Sequence, residues 1–217
     1  NHIQIDLKNP LLAPKKFNPK YWKLLRSDKK FALDYGIGKS RHWFLGHIDF
    51  LNQFDVIIGT NDSLSLGLTY YKKTGQLQSK VVFLAMGSGR VLSYLKNLGS
   101  DRFRRYKDEV NESIKRSSAV VLLGEGEYKF LREEYIQFAK KIRLIPFGID
   151  TAFWTPDLCE DTIQQIPYCL FVGNDTNRDY ELLLDVARCC SNERFVFVSS
   201  KISPDQCPKN VELLVGN

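Results

Sequence analysis

The sequence predicts an α/β protein whose parallel sheets fall into two units, and three observations carry that expectation. Short apolar runs alternate with stretches of helical periodicity along most of the chain. The runs are continuous in Val, Ile, Leu and Phe rather than alternating, which suits parallel strands buried on both faces. A segment bounded by Pro146 and Pro156 then separates one set of strands from the next. Strand-helix-strand repetition of this kind argues a doubly wound parallel sheet with right-handed crossovers.

In chain order, residues 54–58 (F-D-V-I-I) read as a strand and 63–73 as a helix. Residues 80–85 (K-V-V-F-L-A) are a strand, and 90–117 hold one or two helices. Residues 119–123 (A-V-V-L-L), 142–145, 168–172 and 195–199 read as strands, with helices over 127–140 and 178–190 and a further strand starting at 211–215. Strands 54–58, 80–84, 119–123 and 142–145 are expected in one parallel sheet, and strand 168–172 in another. On this reading residues 1–150 form one domain, 151–167 a crossover, and 168–217 an incomplete second domain. Only about 60 residues follow the junction, fewer than a full second domain needs, so the chain is expected to be a piece of a longer protein. Residues 1–38 are the least regular part. Pro10, Pro14 and Pro19 interrupt them and lysines crowd them, and an opening strand requires Ile3–Leu7 with a glycine turn at Tyr35–Lys39.

At 217 residues, 43% hydrophobic and 26% charged, the chain has a globular composition. No apolar run approaches the ~20 residues of a membrane-spanning helix, and the N-terminal residues carry no signal-peptide pattern. The five cysteines (159, 169, 189, 190 and 207) have neither zinc-ligand nor C-x-x-C spacing. An odd count without a framework fits a reducing cytoplasm, and buried small apolar positions are their expected place. Charge is uneven. Residues 1–157 carry 26 Lys and Arg against 16 Asp and Glu, whereas residues 158–217 carry 5 against 9. A basic first portion suits an anionic partner, a membrane surface or a lipid diphosphate, with no nucleic acid expected; an ordinary solvated Lys/Arg surface is the structural alternative. Arg102, Arg104, Arg105 and Lys107, with the lysines of 15–30, are candidates for such a patch. The stripe Phe103, Tyr106, Val110 and Ile114 has helical spacing and should face the core.

Four strand ends carry candidate chemistry. Gly173 to Arg178 (G-N-D-T-N-R) leads from a strand into a helix, where free N–H groups and the positive dipole end attract an anion. Asp175, Thr176 and Asn177 suit the cap, and Arg178 offers a fork of donors to a diphosphate. Gly148 and Asp150 lie where a strand meets the crossover, at the sheet edge where α/β folds bind ligands; a linker turn with an Asp cap is the structural alternative. Met86-Gly87-Ser88-Gly89-Arg90 is a small-residue loop of the type that holds anions. Gly124-Glu125-Gly126-Glu127 suits a helix start, with the two glutamates at its positive end.

Three further patterns lead nowhere. Gly38-Lys39-Ser40 lacks the first P-loop glycine, because Leu33 stands in its place. Gly87-x-Gly89 lacks the third glycine of a dinucleotide fingerprint. His42 and His47 are five apart on a presumed helix with no third ligand.

The stretch I-R-L-I-P-F-G-I-D-T-A-F-W-T-P (142–156), followed by Y-C-L-F-V-G-N-D-T-N-R-D-Y-E-L-L-L (168–184), resembles the two-domain GT-B glycosyltransferases, in particular the large retaining nucleotide-sugar family 4. Pro146, Gly148, Asp150, Phe153 or Trp154, and Pro156 match one motif; Phe171, Val172, Gly173, Arg178 and Leu182–Leu184 match the other. The likeness is dense over 119–190 and faint before. The resemblance implies two Rossmann-like domains, acceptor binding by residues 1–150 and donor binding mainly by the second domain. It further implies a nucleotide-diphosphate sugar as donor substrate, a glycan or lipid-linked acceptor, no obligatory metal or cofactor, and a cytoplasmic enzyme peripheral to the inner membrane face. Residues 173, 174, 178, 148 and 150 fall at its donor site, and Gly87, Ser88 and Arg90 line the cleft where the family carries a His. Phe147 stands for the family's Asn and Asn174 for an Arg that meets the donor diphosphate. The family's paired glutamates are absent from this chain, so the residues that grip donor sugar and ribose go unnamed. An inverting GT-B enzyme, a sugar-nucleotide epimerase and a catalytically silent GT-B-like binding module are the alternatives.

Overall fold

The structure, a computed structural model, describes residues 18–99, 101–155, 167–175 and 178–215. The chain divides into two compact units, residues 1–149 and 150–217. Ile3–Leu7, Pro10, Pro14, Lys15, Lys16, Pro156, Cys159, Thr176 and Asn177 lie outside the described residues.

The first unit opens with α1 (Pro19–Tyr35), held at its start by the Asn18 side chain, which accepts the Lys20 N–H at 2.9 Å, and by Pro19 in the first turn. It ends on Gly36 at φ +72°, the left-handed cap that glycine adopts without strain. Two short helices, α2 (Arg41–Phe44) and α3 (Ile48–Leu51), lead to β1 (Val56–Gly59), α4 (Asp62–Lys73) and β2 (Lys80–Ala85). The stretch 90–117 forms two helices, α5 (Ser88–Asn97) and α6 (Asp101–Arg116), before β3 (Ala119–Leu122), α7 (Glu125–Glu134), a 3-10 turn at Ile136–Phe138 and β4 (Ile142–Leu144). Helix α7 stops short of the expected residue 140 because Tyr135 leaves helical geometry to bury its ring, with its hydroxyl donating to the Lys107 carbonyl at 3.1 Å.

The four strands pair in parallel in the order β1-β2-β3-β4. Tyr106, Val110 and Ile114 of α6 are buried against Phe83, Ala85, Val120, Leu122 and Ile142, with Leu92 and Leu95 of α5 and Leu131 of α7 in the same core. Phe103 packs on its rim, so the expected stripe does face inward. Burial on both faces is not what the strands show. Phe83 and Leu122 are buried, but their neighbours Leu84 and Val121 are half-buried, and Val56 and Ile58 are 48% and 61% exposed. The strand order explains this. When sequential strands are also spatial neighbours and all crossovers share one hand, the crossover helices all fall on the same side of the sheet. The opposite face presents Ile58, Val82 and Ala119 in one register row and Leu84 beside Val121 in the next.

The second unit holds β5 (Cys169–Val172), α8 (Tyr180–Cys189), β6 (Phe195–Val198), a 3-10 turn at Pro204–Gln206 and β7 (Val211–Leu214), with a parallel sheet in the order β5-β6-β7. Strand β5 thus belongs to a different sheet from β4. The core gathers Leu184 and Ala187 of α8 with Phe195, Phe197 and Ile202, and Phe171, Leu183 and Val211 pack around it. The cysteines differ from expectation. Cys169, Cys189 and Cys190 are exposed and Cys207 is partly buried. Cys169 opens strand β5, and Cys189 and Cys190 fall at the end of α8, positions that the small core does not reach.

Candidate functional site

In both sheets the loops at the carboxyl ends of the strands are where a parallel fold can hold a ligand. In the first unit, the loop from β2 into α5 already holds two carboxylates of the chain itself. Asp62, at the first turn of α4, accepts the N–H of Met86 at 2.9 Å and of Ser88 at 3.1 Å, as well as the Ser88 hydroxyl. Glu127 of α7 accepts the N–H of Gly89 at 2.7 Å. Three N–H groups of the expected anion loop, those of Met86, Ser88 and Gly89, are therefore used internally. Ser88 and Asp62 are buried, and Tyr106 donates to the Ser88 hydroxyl at 3.3 Å. Burial pushes the Glu127 carboxyl above its usual range; the Gly89 and Gly87 N–H groups act against that shift, and the neighbouring Asp62 charge adds to it. Arg90 remains exposed at the edge of this loop.

Sequence reasoning placed Glu127 as a cap of its own helix; the structure turns it toward the loop from β2 into α5. The sequence signal was Gly89, where a Cβ would lie 2.6 Å from the Glu127 Cγ. Glu125 instead pairs with Lys129 at 3.2 Å on the helix surface. Asp62 was missed altogether. It follows Asn61, which caps α4 by accepting the Leu64 N–H at 2.9 Å.

A second polar cluster was also missed. Asp28, 3% exposed, accepts Arg41 Nε at 2.6 Å and the His42 N–H at 3.1 Å, with His42 Nδ1 at 2.8 Å. Burial raises the Asp28 carboxyl, but the His42 and Arg41 bonds outweigh it and hold the group below its usual range. Lys39 pairs with Glu109 at 2.7 Å and sits 4.1 Å over the Phe31 ring. His42 lies on α2, while His47 precedes α3 with its Nε2 buried and unbonded. Among the described residues no group of three or more His, Cys, Asp or Glu is placed to hold a metal.

Gly148 has open space around it and does not take positive φ. Asp150 accepts the N–H of Ala152 at 3.0 Å and of Phe153 at 3.1 Å, and its carbonyl accepts from Trp154 at 2.8 Å. These bonds close a local turn.

The second unit brings Gly173, Asn174 and Arg178 together on one loop. The Gly173 N–H continues the sheet ladder by donating to Val198 at 3.1 Å. Asn174 Oδ1 accepts the Ser200 N–H at 2.6 Å and the hydroxyls of Ser199 and Ser200 at 3.2 and 3.1 Å, tying the ends of β5 and β6 together. Arg178 Nε donates to Asp175 at 2.7 Å, and the guanidinium lies over Gly173 and 5.8 Å from the Phe171 ring centre. The Tyr180 hydroxyl donates to the Asp175 carbonyl at 2.7 Å. Helix α8 is capped by Asp179, which accepts the Leu182 N–H at 2.9 Å, so the expected Asp175 cap instead pairs with Arg178. Compared with protein-family models and with curated proteins, the chain has no significant match to either.

Proposed function

We propose that this chain belongs to a glycosyltransferase that moves a sugar from a nucleotide-diphosphate donor to a glycan or lipid-linked acceptor, with retention. One observation carries the reading most: Arg178 stands half exposed over Gly173, where a parallel strand ends and a helix is about to begin. The Gly173 N–H is used in the sheet ladder and Asp179 caps α8, so the exposed guanidinium, near the positive dipole end of that helix, is what the loop offers a phosphate. A guanidinium matches two phosphate oxygens at once. To reach a donor diphosphate, Arg178 leaves Asp175 and points outward; it then stabilises the negative charge that develops on the departing diphosphate. The sequence motifs around Pro146–Asp150 and Phe171–Gly173 support the same reading, with acceptor binding assigned to the first unit and a cytoplasmic setting.

A second reading is a sugar-nucleotide-binding module without transfer. What favours it is Asn174, which stands where the resembling enzymes place an arginine and whose oxygen is committed to Ser199 and Ser200. Calorimetric titration of the purified protein with a panel of nucleoside diphosphates and their sugars tests both, alongside an assay for sugar release or transfer. Binding with turnover supports the enzyme. Binding without turnover supports the module. If none of the nucleotides binds, both readings fail.

A further inference from the structure

We propose that the outward face of α1, with the adjoining end of α5 and start of α6, docks on an anionic lipid bilayer. Residues Trp22, Arg26, Lys29 and Leu33 recur at helical spacing on one side of α1, and all four are exposed. Leu33 is 87% exposed and Trp22 50%. They bracket a stretch of about 16 Å at 1.5 Å per residue, in which Lys23 and Lys30 are also exposed. The opposite side of the helix is anchored. Phe31 and Tyr35 pack on Tyr106 of α6, with ring centres 5.9 and 4.9 Å away. The acidic residues of α1 do little to offset this charge. Asp28 is buried under Arg41 and His42, and Asp34 lies beside Arg102.

The surface continues past the end of α1. Arg102 donates to the Asp34 carbonyl and its guanidinium lies 5.7 Å over the Tyr35 ring. A groove of ≈ 500 Å³ follows, walled by Tyr94, Leu98, Arg90, Arg102 and Tyr35, with Asp34 as its acidic member. Tyr94 and Leu98 are 64% and 59% exposed. Large exposed apolar side chains thus stand among cations both on the outward face of α1 and at the groove beyond its end. A phosphate backbone would engage the cations and leave Leu33 and Leu98 in water. A bilayer interface takes both, the leucines among the upper acyl chains and the lysines and arginines among acidic headgroups.

The test is cosedimentation of the 217-residue chain with vesicles of phosphatidylcholine, with and without a quarter phosphatidylglycerol. Binding is expected only with the acidic lipid, falling steeply as salt rises because exposed charges are screened within ~10 Å at 0.1 M. Lys29→Ala with Lys30→Ala should weaken it roughly 30-fold, at ~1 kcal/mol for each lysine near the surface. Leu33→Ser with Leu98→Ser keeps the net charge and should weaken it by about tenfold or more. These four residues are exposed, so an unchanged melting temperature serves as the control for folding. Equal binding to neutral and acidic vesicles, or to neither, overturns the inference. So does full binding by the Leu33→Ser and Leu98→Ser chain, which would mark a merely cationic surface. Tighter binding to poly-uridylate than to acidic vesicles overturns it in favour of nucleic acid. The inference stands on the first unit alone, so vesicle binding without nucleotide-sugar binding supports it while the transfer reading falls.

Discussion

Glu127 on α7 holds Gly89 in the first turn of α5. Its Oε1 accepts the Gly89 N–H at 2.7 Å, and the approach is so close that any Cβ on Gly89 would overlap its Cγ at 2.6 Å. With Asp62 gripping Met86 and Ser88 from α4, three successive crossovers are tied at the carboxyl edge of one sheet. An external anion gains this loop only by displacing one of those carboxylates. Asp62 is buried whereas the Asp175 carboxylate on Arg178 is half exposed and easier to displace, which is why the Arg178 loop, and not the glycine-rich loop after β2, carries the donor-site reading.

The Glu127 contact has a pH signature. Its folded carboxyl titrates above the usual glutamate range because burial disfavours the charged form. On raising pH the unfolded chain therefore gives up this proton first, and stability declines from the ordinary glutamate value up to the raised folded one. Glu127→Gln removes that decline. Urea midpoints of parent and variant, compared from about pH 4 to about pH 7, should approach one another at low pH and separate, in the variant's favour, as pH rises. Parallel curves would show that the Glu127 carboxyl does not titrate across this interval.

Asp28 has the opposite sign. Its folded carboxyl titrates below the usual range, so the stability it gives is present above the ordinary aspartate value and is lost as pH falls toward the folded one. Asp28→Ala leaves the Arg41 guanidinium, 12% exposed, without its carboxylate. The expected loss is about 3–5 kcal/mol at neutral pH, measured by denaturant unfolding. A loss below about 1 kcal/mol would mean that water takes over the pairing.

The strand positions and the core stripe of α6 were legible because they are local: a continuous apolar run or a 3.6 period is written within one segment. The one-sided cover of the first sheet was not. Runs such as V-V-F-L-A look the same whether the second face meets helices or water; the strand order decides, and it is set by pairings between distant segments. The same distance hid the polar clusters. Asp62 meets Ser88 across 26 residues and Glu127 meets Gly89 across 38. Only Gly89 left a local trace, as a glycine inside a helix start. Asp28 with Arg41 is separated by 13 residues and two turns of chain direction. On the Gly173–Arg178 loop the sequence missed Asp179 as the cap, because four neighbouring residues, Asp175, Thr176, Asn177 and Asp179, all suit that role.

Gly67 supplies a packing test. It lies mid-helix in α4, where Ala normally stabilises by up to about 1 kcal/mol. Here a Cβ would stand 2.5 Å from the Lys39 carbonyl and 2.8 Å from the Phe44 ring. Gly67→Ala should therefore destabilise by about 1–3 kcal/mol through overpacking of α4 against α2. A stabilised variant in thermal melts would mean that the 39–44 segment shifts freely away from α4.

Arg178 separates the functional reading from a structural one. Its ion pair with Asp175 joins side chains that are 49% and 50% exposed, and such solvent-screened pairs contribute little to stability. Arg178→Ala should hardly move the melting temperature. If the guanidinium meets the donor diphosphate, the lost charged hydrogen bonds weaken nucleoside-diphosphate binding by about 10- to 150-fold. Arg178→Lys should restore only part, since an ammonium offers a point charge in place of a planar fork. Asp175→Ala frees the guanidinium and removes a nearby negative charge, so it should tighten binding several-fold by about the strength of one exposed pair. Asn174→Arg is the harder change, because it gives up the bonds to Ser199 and Ser200 that join the ends of β5 and β6; it should lower the melting temperature even if it adds a phosphate contact. Calorimetry on this set reads each step. Normal nucleotide affinity in Arg178→Ala, together with a loss of several degrees in stability, would make Arg178 a structural residue that braces the Gly173 loop, and the donor site would have to lie elsewhere.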